Sequence, residues 1–104
     1  MEKYIIVTTL CRDKKVAESI CDTLLSKNLV AGCQVSKVDS KYWWNEKLEE
    51  AEEFKLEFRT KENLFNEIKE VIKSIHDYEV PEITYSYIDG GNEEIFDWIK
   101  LNTK

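Results

Sequence analysis

Val35 to Phe58, VSKVDSKYWWNEKLEEAEEFKLEF, is the stretch on which the fold of this 104-residue chain turns. Read with a period of two, Val38, Ser40, Tyr42 and Trp44 share one face of an outgoing extended arm. Phe54, Leu56 and Phe58 share one face of the returning arm. The two arms form a ribbon with Tyr42, Trp43 and Trp44 near its tip, too long and too aromatic for a lone small domain. Large aromatic rings bury much area and concentrate at interfaces, so this tip predicts burial against another copy of the chain. The expectation is a homo-oligomer.

Working back from the ribbon, Val30 to Val35 alternates with Ala31, Cys33 and Val35 on one side, whereas from Val38 onward the apolar residues take even positions. That change of phase predicts a bulge or bend near Ser36-Lys37. Earlier still, Tyr4 to Leu10 has no polar alternation and reads as a central strand covered on both faces. Asp13 is placed to cap a helix with Val16, Ala17, Ile20, Cys21 and Leu24 as its apolar stripe, ending near Asn28.

Past the ribbon, the return arm from Glu53 to Arg59 alternates cleanly, and Thr60 is placed to cap a second helix. Leu64, Phe65, Ile68, Val71, Ile72 and Ile75 form its buried stripe, and His76 and Asp77 close it. Pro81 lacks a donor, which makes Tyr78 to Glu82 a connection rather than a central strand. Ile83 to Ile88 reads as a last strand, Gly90-Gly91 ends it, and Asn92 is placed to cap a helix carrying Ile95, Phe96, Trp98 and Ile99. The order β-α-β-β-α-β with a C-terminal helix predicts one α+β domain over residues 1–104, a ferredoxin-like arrangement with helices on one face of an antiparallel sheet. The other face is left uncovered by one chain, a second reason to expect subunits packed around an axis.

A composition of 42% hydrophobic and 35% charged residues is that of a water-soluble globular domain, with no signal-peptide pattern and no membrane span, so the expected compartment is the cytoplasm. Net charge is −6 with a pI near 4.9, and no basic stripe runs among the aromatics, which argues against nucleic acid as a partner. Glu46, Glu49, Glu50, Glu52 and Glu53 gather acidic charge around the ribbon turn, where they solvate it and where Glu49 and Glu53 could also hold a hard cation. Cys11, Cys21 and Cys33 are odd in number and lack CxxC spacing, which reads as free thiols rather than a disulfide framework or zinc knuckle.

No nucleophile elbow, phosphate loop, dinucleotide fingerprint or HExxH spacing occurs, so catalysis has little support. Cys11 or Cys33 with His76 would make a thiol-imidazole dyad only if the fold brought them together. The same residues, with Glu79 or Glu82, are soft and oxygen donors suited to copper or zinc, while a histidine at a helix end serves equally as a hydrogen-bonded cap.

Three passages resemble the CutA divalent-cation tolerance family: Val30-Ala31-Gly32-Cys33-Gln34-Val35, Tyr42-Trp43-Trp44-Asn45-Glu46-Lys47-Leu48-Glu49, and His76-Asp77-Tyr78-Glu79-Val80-Pro81-Glu82-Ile83. The resemblance implies a homotrimer of ferredoxin-like subunits, similar in build to the PII signalling proteins, associated with tolerance to copper and other divalent cations. It implies Cys33 and His76, with Glu82, as candidate metal ligands at intersubunit sites, and Tyr42, Trp44 and Tyr78 around an intersubunit cleft. The function expected is non-enzymatic binding of divalent metal, copper among the candidates. The alternative is a trimeric sensor or scaffold holding a small molecule or partner protein in the cleft. The chain departs from the family pattern at Asp77, where proline is usual, at Glu46 in place of a turn glycine, at Gly32 in place of an alanine, and at Cys11, where proline is common.

Overall fold

A computed structural model describes residues 1–104. The elements run β1 (Tyr4–Cys11), α1 (Lys14–Ser26), β2 (Gly32–Trp44), β3 (Lys47–Lys61), a 3₁₀ turn (Glu62–Leu64), α2 (Phe65–Ile75), β4 (Ile83–Tyr87) and α3 (Glu93–Asn102). The sheet order is β2-β3-β1-β4 with every pair antiparallel, the ferredoxin-like order expected from the sequence. β1 is central as expected, but one chain covers only one of its faces. Ile5, Val7, Thr9 and Cys11 are buried under the helices, and Tyr4, Ile6, Thr8 and Leu10 are half-buried on the other side.

The core follows from three apolar stripes meeting. Ile5 and Val7 of β1, Leu56 and Phe58 of β3, Ala17, Ile20 and Leu24 of α1, and Ile68 and Ile72 of α2 form a single cluster. α1 starts where the sequence places it, because the Asp13 carboxylate accepts from the Lys15 backbone N–H at 2.8 Å and satisfies an otherwise orphaned donor. Asn28 then takes φ 56°, a left-handed turn that the short amide side chain tolerates.

The expected bulge at Ser36-Lys37 is absent. β2 and β3 pair in one unbroken register from Gly32↔Arg59 to Trp44↔Lys47. The apolar phase changes because the burying partner changes. Cys33 and Val35 lie opposite Phe58 and Leu56 on the helix side, whereas Val38, Ser40 and Tyr42 lie opposite Glu53, Ala51 and Glu49 on the other side. β1 pairs with β3 only as far as Cys11↔Phe54, so past that point β2 and β3 continue as a two-stranded arm without a helix beneath them. This arm stretches the molecule to 44 × 26 × 21 Å.

Thr60 is not a helix cap. It belongs to β3, fully buried, and its hydroxyl donates to the Leu29 carbonyl at 2.5 Å, tying the α1–β2 connection to the sheet. The chain reaches α2 through the 3₁₀ turn instead, with no side-chain cap at either start. The free-thiol expectation is also corrected: Cys21 of α1 and Cys33 of β2 are paired as a disulfide, and Cys11 alone is free and buried. No helix is long and apolar enough to cross a membrane.

Candidate functional site

Where β1 ends, the hairpin arm and the α2–β4 connection enclose an open cleft of about 880 Å³. The arm contributes Tyr42, Trp44, Glu49 and Glu53, the connection contributes Asp77, Tyr78, Glu79 and Glu82, and Arg12 closes the end of β1. Antiparallel register sets the arm's wall, since Tyr42 lies directly opposite Glu49 and Val38 directly opposite Glu53 on the same face.

Two hydrogen bonds organise the cleft. The Tyr78 hydroxyl donates to the Glu53 carboxylate at 2.5 Å, and Glu53 is only 5% exposed. The Arg12 guanidinium donates to the Tyr42 hydroxyl at 3.1 Å. Burial, then the hydrogen bond to Glu53 and the charge of that carboxylate, push the Tyr78 phenol above its ordinary range, with Arg12 opposing them. The bond to Tyr42 further favours the charged form of Arg12. Carboxylates outnumber cations along the lining, with only Arg12 and Lys41 facing Asp39, Glu49, Glu53, Asp77, Glu79 and Glu82. Chemically the cleft offers hard oxygen donors beside aromatic rings.

Of the residues singled out in the sequence, Tyr42, Trp44, Tyr78 and Glu82 all line this cleft. Cys33 and His76 do not, and the fold does not bring them together. Cys33 is committed to Cys21, so in this form it has no thiolate to offer a metal. The His76 side chain is fully shielded, and both ring nitrogens are engaged. The Tyr78 backbone N–H donates to Nδ1 at 3.1 Å, which leaves the proton on Nε2, and Nε2–H donates to the Leu10 carbonyl at 2.7 Å. β4 pairs with β1 only up to Thr9↔Ile83, so the imidazole takes over the next carbonyl along β1. His76 is therefore a splice between α2 and the sheet, the capping alternative raised by its position. Asp77 Oδ1 lies 3.4 Å from Nδ1.

No group of three or more His, Cys, Asp or Glu side chains in one chain is arranged to hold a metal ion. Burial, with Asp77, Asp13 and Glu53 nearby, pushes the Cys11 thiol up to about 11. Sequence reading missed Arg12, and it placed Glu53 in the acidic charge around the ribbon turn, with Glu49 as a possible holder of a hard cation, without its tie to Tyr78. The available signal was the clean alternation of β3, which puts Glu53 on the face opposite Phe54 and Leu56 and so beside Val38 rather than in solvent.

Comparison with known proteins agrees with this architecture. The family described as CutA1 divalent ion tolerance protein matches residues 5–102. The chain is 38% identical to the divalent-cation tolerance protein CutA of Pyrococcus horikoshii, covering 96% of this chain and 98% of that one. It is 34% identical to the Thermus thermophilus CutA, covering 99% of each. Among solved structures, CutA1 of Pyrococcus horikoshii superposes with a TM-score of 0.91 at 37% identity over 96% of this chain and 98% of the other. CutA of Archaeoglobus fulgidus, a divalent cation tolerance protein described as periplasmic, superposes with a TM-score of 0.94 at 30% identity over 97% of this chain and 99% of the other. The chain therefore belongs to the CutA1 divalent ion tolerance protein family.

Proposed function

We propose that this protein is a cytoplasmic homotrimer that contributes to divalent-cation tolerance by holding divalent metal, copper among the candidates, weakly and reversibly where its subunits meet. The role is binding rather than catalysis. Its relatives carry the divalent-cation tolerance name. The observation that carries the reading is the cleft itself, lined by Glu49, Glu53 and Glu82 along with Tyr42 and Tyr78, while no single chain groups three metal donors. Neighbouring copies would supply the missing donors. Association is supported by the arm, whose Trp43 and Leu48 are 73% and 57% exposed in the single chain, and by the half-covered outer face of β1. Of the expected ligands, Glu82 remains in this proposal, with Glu49 and Glu53 in place of Cys33 and His76.

Equilibrium dialysis with Cu(II) and Zn(II), on wild type and on Glu49→Gln combined with Glu82→Gln, tests the site. Weak binding that the double variant loses supports it, and indistinguishable binding overturns it. Light scattering tests the assembly, with a mass of three 12.3 kDa chains expected and a monomer excluding it.

A second reading, a sensor or scaffold that takes a small organic ligand or a partner's peptide, draws on the Arg12–Tyr42 pair and the Trp44 and Tyr78 rings in the same cleft. A thermal shift with metals that chelator abolishes, and none with a metabolite panel, argues against it.

A further inference from the structure

The carboxylates of the cleft have no cationic partners within the chain. Lys41, one of the two basic residues in the lining, pairs with Glu50 at 3.3 Å, and Glu50 lies outside the cleft. Arg12, the other, donates to the Tyr42 hydroxyl at 3.1 Å. No lysine or arginine forms a salt bridge with Glu49, Glu53, Glu79 or Glu82.

Glu53 adds an observation of a different kind. It is only 5% exposed, and its Oε2 accepts from the Tyr78 hydroxyl while Oε1 has no hydrogen-bond partner in the chain. The one fully enclosed side-chain oxygen without a partner is the Thr9 hydroxyl, so Glu53 Oε1 is not sealed in the core and opens on the cleft that Glu53 lines. A shielded carboxylate oxygen left without a donor is costly, and a ligand bearing N–H groups removes that cost.

The lining sets three aromatic side chains, Tyr42, Trp44 and Tyr78, among these acids, and aromatic rings attract ammonium groups over their faces. Within one chain no three acidic or metal-binding donors converge on a point, so the negative charge is spread along the cleft. Spread charge suits a ligand whose positive charges are also spread, because Coulomb attraction falls with separation and a compact ion meets few carboxylates at once. The free Glu53 oxygen calls for an N–H donor, which a quaternary ammonium lacks.

We propose that the cleft binds a linear aliphatic polyamine, its ammonium groups paired with Glu49, Glu53 and Glu82 and its methylene segments against Tyr42, Trp44 and Tyr78. The inference rests on the sensor reading of the cleft and gives that reading a ligand class.

The test is equilibrium dialysis of the full chain against radiolabelled spermidine at about 0.15 M salt, where the Debye length is about 8 Å. Chelator is present throughout, so that metal takes no part. Saturable uptake of one spermidine per chain is expected. Glu49→Gln combined with Glu82→Gln should weaken it about tenfold through the loss of two ion pairs. Glu18→Gln combined with Glu70→Gln removes the same charge from exposed positions on α1 and α2, outside the cleft, and should change affinity less than about twofold. On the wild type, n-butylamine, with a single ammonium, should compete at least about tenfold more weakly than spermidine. Absent uptake, or equal uptake in wild type and the cleft variant, overturns the proposal. So does equal competition by n-butylamine, or an equal loss in the helix-surface variant, which would mark the attraction as that of the chain's net charge of −6. A thermal shift from anionic or neutral metabolites without spermidine uptake overturns it and leaves the sensor reading standing, whereas silence across the whole panel removes both.

Discussion

The Tyr78 hydroxyl and the Glu53 carboxylate meet at 2.5 Å, joining the loop after α2 to a strand residue that is only 5% exposed. A shielded carboxylate is stabilised by a hydrogen-bond donor, and removing that donor leaves the charge unpaired. Tyr78→Phe is expected to cost about 1–3 kcal/mol in chemical denaturation. Glu53→Gln in the Tyr78→Phe background should recover part of it, because a neutral amide is less costly to leave unpaired. Equal stability of Tyr78→Phe and wild type would show the pair to be incidental.

His76 separates a structural role from a metal role. His76→Ala leaves the Leu10 carbonyl and the Tyr78 N–H without partners and opens a cavity, which should cost about 2–4 kcal/mol. Metal uptake by the folded variant, measured by dialysis, should match wild type, because the ring faces the backbone rather than the cleft. A variant of unchanged stability that has lost metal would return His76 to the ligand set.

Cys11 gives a pH dependence with a definite sign. Burial raises its thiol from the ordinary 9.0 to about 11, so the folded chain holds the proton more tightly than the unfolded one. Its contribution is fully present below pH 9 and is lost as pH climbs toward 11. The raised Tyr78 phenol adds a further loss above its ordinary 10.0. Urea midpoints should be flat to about pH 9 and fall beyond it, less steeply in Cys11→Ala. Alkylation of native Cys11 at pH 8 should be about 100-fold slower than in denaturant.

The hairpin turn carries a removable strain. Asn45 and Glu46 both adopt positive φ, 50° and 64°, the mirror-image turn that suits the twist of a two-residue hairpin. Asparagine tolerates this region, whereas glutamate pays a steric penalty that glycine avoids. Glu46→Gly should stabilise by about 0.5–1 kcal/mol, read as a raised denaturation midpoint at unchanged m-value. A lowered midpoint would mean that Glu46 makes a compensating contact in the assembly.

Gly32 is matched to Trp98. A Cβ at position 32 would lie 2.8 Å from the Trp98 Cη2 atom, so the indole of α3 sits where a side chain would be. Gly32→Ala should cost about 1–3 kcal/mol through displacement of that ring. Trp98→Leu should absorb most of the penalty in a double-mutant cycle. Additive effects in the cycle would place the cost elsewhere.

Element order, the antiparallel ferredoxin-like sheet and the apolar stripes of α1 and α2 were all legible, because helical and strand periodicity depend on residues close in sequence. Tyr42, Trp44, Tyr78 and Glu82 were also placed together, by resemblance, and all four line the cleft. Tertiary structure alone decided the rest. The phase change at Val38 could not be told from a bulge, since it arises from which layer covers each face of the arm, and that depends on where β1 and the helices stop. Thr60 has the identity of a helix cap, but a distant carbonyl at Leu29 outcompeted the helix for its hydroxyl. Cys21 and Cys33 became partners, and His76 became a splice between α2 and the sheet, because packing α1 and α2 on the sheet set their neighbours. Local pattern fixes what each segment becomes. A side chain's chemistry is fixed by the groups that folding brings within bonding distance, and those come from far along the chain.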